Sequence, residues 1–378
     1  MYRMLDTRAR GLRLSRRSTS LLALLATSAV LVTGCANTGE TEAAGGGAES
    51  GASASGGGEQ VVREPTTEAS GEGCTLDTYA GGVEAVELEG AKVGFSQSEP
   101  DTAAFRAAET QSIQDEAAAV GAELMVTNAN GELPKQISDI QDLLNQGVEL
   151  LIVAPLNSDG LDPALSAAAE AGVPVITIDR KVTNEYCSDY VTFIGSDFYS
   201  QGQRAADAMA KATDGEANVA ILLGSSGNNV TDQRNQGFLD QVEAEHPDLT
   251  VVVEQTANFA RDEGQSVTEQ LLQSNPEIDA IYAHNDEMAL GAVTAVTAAG
   301  RAPGTDVKIV SIDGTANAVQ AIVDGQMNAV IESNPRFGPL AFATAQQFFD
   351  GESIPEDLII EDREYGPDNA EAELDNAF

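Results

Sequence analysis

Tryptophan is absent from the 378-residue chain, and histidine occurs only twice, at His246 and His284. Two distant histidines, with no CxxC, HExxH or EF-hand loop, leave no metal-ligand spacing. Neither a metal nor a cofactor is expected. Walker and GxGxxG patterns are missing too, and the loop GSSGNN at 224–229 is only a weak phosphate signal. Positive charge is scarce: 20 Lys+Arg stand against 60 Asp+Glu, a net charge of −40. Nucleic-acid affinity rests on cationic side chains at phosphates, so that partner class is excluded. Direct docking on anionic lipid is excluded for the same reason. The acid excess reads as a solvated surface. No apolar run reaches the ~20 residues needed to cross a bilayer.

The first 34 residues read instead as an export signal. Six arginines (Arg3, Arg8, Arg10, Arg13, Arg16 and Arg17) precede the apolar run 21–31, which leads into Leu31-Val32-Thr33-Gly34-Cys35. Small residues before a cysteine resemble a bacterial lipobox, in which Cys35 carries the lipid. An ordinary signal peptide with an incidental cysteine is the plainer alternative. Residues 35–73 are mostly Gly, Ser, Ala, Thr and Glu and cannot bury enough surface to fold. About 38 flexible residues span roughly 35 Å, which suits a tether between a membrane and a folded body. Cys74 and Cys187 remain as an even pair, and in an exported protein such a pair suggests one disulfide.

The remaining stretch of about 300 residues suits two domains of ordinary size, and a hydrophobic content of 42% supplies their cores. Short Val/Ile-rich strands are expected at 91–96, 123–127, 150–153, 174–179, 191–194, 219–223, 249–254, 280–282, 308–311 and 329–332. Amphipathic helices alternate with them at 103–120, 135–146, 161–171, 199–213, 231–245, 262–273, 287–299, 316–324 and 338–350. The alternation predicts an α/β fold with parallel sheets covered on both faces. Roughly ten strands exceed what one doubly wound domain needs, so two similar lobes with a ligand between them are expected.

Polar residues recur where these strands end, at the edge where open α/β sheets bind ligands. AHNDEMALGA, residues 283–292, puts Asn285 and Asp286 between a strand and the next helix. Asp179 and Arg180 end VPVITIDR. A carboxylate accepts hydroxyl protons and a guanidinium donates in a fixed fork; a surface ion pair is the alternative. Asp313 ends KIVSID and suits either a ligand contact or the N-cap of the following helix. Arg234, in DQRNQGF, lies near a helix start where the macrodipole disfavours a cation, which favours a ligand role. Phe105 and Phe259 stand in AAFRAAET and TANFAR. An aromatic ring suits the apolar face of a sugar, although each also fits a core. Arg106 either reaches the ligand or lies solvated. Asn334, in Ser333-Asn334-Pro335, fits a chain crossing between lobes, as hinge and as contact. Such converging tips suit a small polyol better than a reaction centre.

The succession VGFSQSE, AETQSIQDEA, VPVITIDR, YVTFIGSDF, DQRNQGF, NFAR, YAHNDEMALGA, IVSIDG and ESNPRFGP, spread from about 91 to 353, resembles the bacterial sugar-binding proteins of ABC transporters. The resemblance is to the ribose/galactose type, and within it to galactofuranose-binding members. Phe105 stands where those members carry Trp, and Ser333 where they carry Cys. The resemblance implies a type I periplasmic-binding-protein fold: two Rossmann-like lobes with parallel sheets joined by three crossover strands. The lobes are expected at 74–196 with 334–360, and at 197–333 with 361–378. By motif position it points to Ser96, Arg106, Asp179, Arg180, Arg234, Phe259, Asn285, Asp313 and Asn334 as sugar contacts. The expected protein is a monomeric, lipid-anchored, extracytoplasmic binder that passes a monosaccharide to a membrane permease. A sensor presenting sugar to a receptor is an alternative, as is a non-sugar small polar ligand. A glycosidase using two carboxylates is disfavoured, because these carboxylates come paired with arginines that keep them ionised. A sugar-responsive repressor would carry a helix-turn-helix where this chain has an export signal.

Overall fold

The computed structural model of the protein describes residues 73–378; the export signal, Cys35 and the tether through residue 72 lie outside them. The first elements in chain order are β1 (Lys92–Gln97), α1 (Ala104–Val120), β2 (Glu123–Asn128), α2 (Leu133–Asn145), β3 (Leu150–Val153), α3 (Asp162–Glu170), β4 (Val175–Ile178) and β5 (Thr192–Ser196). Then come α4 (Phe198–Ala212), β6 (Ala217–Leu223), α5 (Asn229–Glu245), β7 (Leu249–Thr256), α6 (Arg261–Ser274), β8 (Ala280–Ala283), α7 (Asp286–Ala298), β9 (Lys308–Asp313), α8 (Ala316–Val323) and β10 (Ala329–Glu332). The chain ends with α9 (Gly338–Phe349), β11 (Asp357–Ile360), β12 (Glu364–Tyr365) and α10 (Ala370–Glu373).

The strands form two six-stranded sheets of matching order, β2-β1-β3-β4-β5-β11 and β7-β6-β8-β9-β10-β12. All pairs are parallel except β12, which runs antiparallel to β10. Alternation explains the apolar runs. In β3, Leu150 and Ile152 join the cluster on one face of the first sheet, while Leu151 and Val153 join the cluster on the other. In β8, Ile281 and Ala283 face one way, and Ala280 and Tyr282 the other. A sheet covered by helices on both faces demands apolar side chains at both parities. The order reverses at β1/β3 and at β6/β8, and in open sheets such reversals open a crevice at the carboxyl ends of the strands.

The chain passes between the sheets three times: after β5, after β10 and after β11. Helices α4 and α5 pack closely because Gly202 lies against the backbone of Arg234 and Gly237 against that of Tyr199, where a Cβ has no room.

Two sequence expectations require adjustment. The strand read at 174–179 stops at Ile178 because Asp179 takes a left-handed φ of 64°, a conformation that ends a strand. The edge strands β11 and β12 went unread: β12 has only two residues, and β11, DLII, opens on a charge and sits among Glu356, Glu361 and Asp362, so neither stands out as a Val/Ile-rich run.

Cys74 and Cys187 are joined, with Cα atoms 5.3 Å apart and a sequence separation of 113. The bond pins the start of the described chain, which also pairs with Ile354, to the β4–β5 connection. Replacing both cysteines by serine is expected to lower stability by about 2–5 kcal/mol in urea titration. Because neither lines the cavity described below, affinity for ligand is expected to stay unchanged.

Candidate binding site

A cavity of about 470 Å³ opens where the carboxyl ends of the two sheets meet. The first sheet and its helices supply Glu99 from the segment after β1, Phe105 and Arg106 from the start of α1, and Asp179 and Arg180 from the end of β4. The second supplies Arg234 from α5, Asn258 and Phe259 between β7 and α6, Asn285 before α7, and Asp313 from the end of β9. Eight of the ten residues expected as sugar contacts therefore line one cavity: Phe105, Arg106, Asp179, Arg180, Arg234, Phe259, Asn285 and Asp313.

On the first-sheet side, one carboxylate oxygen is gripped by two guanidiniums. Glu99 Oε2 lies 3.0 Å from Arg106 Nε and 3.0 Å from Arg180 Nη2. Arg106 Nη1 lies 2.8 Å from Asp179 Oδ2 and 2.8 Å from Glu109 Oε2. Arg180 also donates to the backbone oxygen of Leu156 at 2.8 Å. Burial alone would raise the Glu99 carboxyl, but Arg180 and Arg106 together hold it down at about 2. Glu109, deeper and beside Asp179, is pushed upward by burial, with Asp179 adding to the shift and Arg106 opposing it.

On the second-sheet side, Arg234 donates through Nε to Gln201 Oε1 at 2.9 Å and through Nη1 to the His284 oxygen at 2.7 Å, with Asp313 Oδ1 3.7 Å away. Burial raises the Asp313 carboxyl well above its usual range; Arg234 opposes this, and Asp286 and Asp179 reinforce it. Asp179 and Asp313, carboxylates from the two different sheets, line the same cavity. Asn285 caps α7 by accepting from Met288 N at 3.0 Å, and donates to the Phe259 oxygen at 3.2 Å. Asp286 turns away from the cavity. It accepts from Ser311 Oγ and from Gly314 N, Thr315 N and Thr315 Oγ1, so its task is to hold the loop after Asp313. Thr315, not Asp313, caps α8.

The aromatic walls are also fixed by charge. The Arg106 guanidinium lies 5.2 Å from the Phe105 ring centre, and that of Arg180 5.9 Å from the Phe259 ring. The Phe259 ring occupies the space above Gly224 that any side chain would fill. Asp179, Asn258, Phe259 and Asp313 all have positive φ, at 64°, 50°, 60° and 142°. Strained backbone concentrated in one cavity is typical of sites where geometry is over-determined by the surroundings.

Two expected contacts, Ser96 and Asn334, do not line this cavity. Ser96 is fully buried within β1, where its Oγ receives Gln136 Nε2 at 3.4 Å; three residues later, Glu99 reaches the cavity instead. Asn334 lies in the crossing after β10, its Oδ1 taken by the Arg336 N–H at 2.9 Å. Glu99 and Asn258 carried no expectation from the sequence, although Glu99 closes the quoted motif VGFSQSE two residues beyond the end of β1. At the rim, Arg261 and Glu287 form a two-point pair at 2.7 and 2.9 Å. Among the described residues, no group of three or more His, Cys, Asp and Glu is placed to hold a metal ion. Charged donors and acceptors between aromatic faces can bind a polyhydroxylated ring without reacting with it.

Residues 93–353 match the periplasmic binding protein domain. The chain belongs to the periplasmic binding protein family. It is 32% identical to a galactofuranose-binding protein of Escherichia coli (strain K12), over 75% of this chain and 90% of that one. It is 35% identical to a ribose import binding protein of Bacillus subtilis (strain 168), over 64% and 76% respectively. Among solved structures it resembles a Mycobacterium smegmatis protein in complex with β-D-fucofuranose, with a TM-score of 0.72 and 37% identity, covering 76% of this chain and 94% of that one. As a periplasmic binding protein of the sugar-transport type, it is a solute-binding protein rather than an enzyme, and it works outside the cytoplasm.

His284, fully buried behind the site of this binding protein, is depressed to about 3 by burial and by Arg234. The folded state thus refuses a proton that the unfolded chain takes up below its ordinary value of 6.5. The contribution is fully present above pH 6.5 and is lost as pH falls toward 3. His284→Gln, which keeps an acceptor for Gly224 N–H, is expected to lose about 2 kcal/mol less stability than the parent between pH 7 and pH 4.5, read by urea titration at both values.

Proposed function

We propose that this protein captures one monosaccharide in furanose form between its two sheets and delivers it to the membrane subunits of an ABC importer. The observation that carries the reading is the meeting of Asp179 and Asp313 from opposite sheets in one cavity, each beside an arginine. A sugar offers hydroxyls to the carboxylates, oxygens to Arg106, Arg180 and Arg234, and an apolar ring face to Phe259 or Phe105. Only when the sheets approach can both sets bond one ring, so sugar shifts the population toward the closed form. Hinge closure around a ligand is the general behaviour of periplasmic binding proteins. The furanose preference rests on similarity to a galactofuranose-binding protein and to a protein that binds β-D-fucofuranose. A monomer suffices, since the cavity is built within one chain.

The test is a thermal-shift screen with D-fucose, D-galactose and D-ribose, equilibrated so that both ring forms are present, against their methyl pyranosides. A ligand that binds only the native state raises the melting point. The free sugars are expected to raise it and the locked pyranosides are not; no shift with any sugar would overturn the reading. Charge-assisted hydrogen bonds are each worth about 1.5–3 kcal/mol, so Asp179→Ala is expected to weaken binding by roughly 10- to 150-fold.

The same reading includes a lipid on Cys35, which follows the small residues Thr33 and Gly34 and precedes a Gly/Ser-rich stretch suited to a tether. Cells fed radiolabelled palmitate are expected to label the parent protein and not Cys35→Ser.

A further inference from the structure

The three chain crossings between the sheets are tied at one carboxylate. Asp362, in the crossing after β11, accepts at Oδ1 from Ser196 Oγ at 3.2 Å and from Asn334 N at 3.4 Å. Ser196 ends β5 at the first crossing, and Asn334 lies in the second. Asp362 Oδ2 accepts from Gln201 Nε2 at 2.7 Å, and the same amide nitrogen donates to the Glu332 oxygen at 3.2 Å. The other end of Gln201 accepts from Arg234 Nε at 2.9 Å. Arg234 lines the cavity. One amide therefore separates the hinge from the site.

The direction of this chain of bonds is not free. Arginine has no acceptor, so the amide oxygen of Gln201 must face Arg234. Its nitrogen then faces Asp362, which must present an acceptor. Turning the amide over would set donor against donor at Arg234 and acceptor against acceptor at Asp362. Gln201 is 1% exposed and Arg234 3%, so water offers neither a substitute partner, and an unmatched buried polar group is costly. The close approach of α4 to α5 at Gly202 and Gly237 is what brings Gln201 within reach.

We propose that Asp362 and Gln201 are positioning residues that couple the hinge to the ligand-facing guanidinium of Arg234. Bending the crossings moves Asp362 relative to Gln201, and Gln201 transmits the change to the angle at which Arg234 presents its remaining donors. The closed hinge is thereby the state in which Arg234 is aimed. The consequence for sugar affinity rests on the function proposed above; the coupling itself does not.

The experiment uses the purified full-length protein. Burial and the nearby Glu332 carboxylate push the Asp362 carboxyl up to about 7, so measurements are made at pH 8, where it is ionised. The primary readout needs no ligand: the Nε–H resonance of Arg234 in ¹⁵N spectra, assigned by its loss in Arg234→Lys. It is expected to shift and to exchange faster with solvent in Asp362→Asn as well as in Gln201→Met. An unmoved resonance in Asp362→Asn would overturn the proposal. With D-fucose as probe, Gln201→Met is expected to weaken binding about tenfold. Adding Asp362→Asn to it should cost nothing further, because the bond it acts through is already gone. Additive losses would overturn the coupling, whereas a merely structural role would lower the melting point and leave affinities additive. If the parent binds no sugar, the function reading fails and the Arg234 resonance still decides the coupling. Gln201→Glu serves where Gln201→Met does not fold: it keeps an acceptor for Arg234 but faces Asp362 with a second carboxylate, and in its background Asp362→Asn supplies the missing donor, so the Arg234 resonance should return toward its parent position; no return would overturn the coupling.

Discussion

Everything at this site depends on keeping three guanidiniums out of water without leaving any unpaired. Arg106, Arg180 and Arg234 are each at most 5% exposed, and stranding such a charge would cost several kcal/mol. Glu99, Glu109, Asp179 and Asp313 meet that demand, supplemented by the backbone oxygens of Leu156 and His284. The network leaves charges preset in direction before any ligand arrives. Donors fixed by their neighbours lose little freedom on binding, and such preorganisation is what turns contacts into affinity.

The duplicated sheet order explains how so many charges come together. Each sheet reverses its strand order next to its first strand, so each offers a crevice at the carboxyl ends. Facing the two crevices places the turns after β1 and β4 opposite those before α7 and after β9. Asp179 and Asp313 both stand at such turns, and both leave the ordinary strand conformation there. Neither sheet alone holds both carboxylates, so recognition is a property of the pair and depends on the crossings that set their separation.

Much of this was legible in the sequence, and the failures have physical causes. Uniformly apolar strands such as LLIV and the strand-end residues Asp179, Arg180 and Asp313 announced themselves through composition and position. Eight of the ten expected contacts line the cavity. Ser96 did not, because residues in a strand alternate faces and motif position alone cannot say which face meets the crevice. Glu99 was missed because it lies beyond the strand proper, where the chain turns and pattern rules lapse. Asp286 looked equivalent to Asn285, yet adjacent residues at a helix start point apart. The tie between Asp362, Gln201 and Arg234 joins residues 161 and 33 apart, a separation that no local pattern encodes.

Each sheet completes itself with a strand drawn from the last few dozen residues: β11 at the edge of the first, β12 at the edge of the second. Both edges therefore depend on the single segment 357–365. Losing that one segment would bare an edge in both sheets at once, leaving unpaired backbone on β5 and on β10.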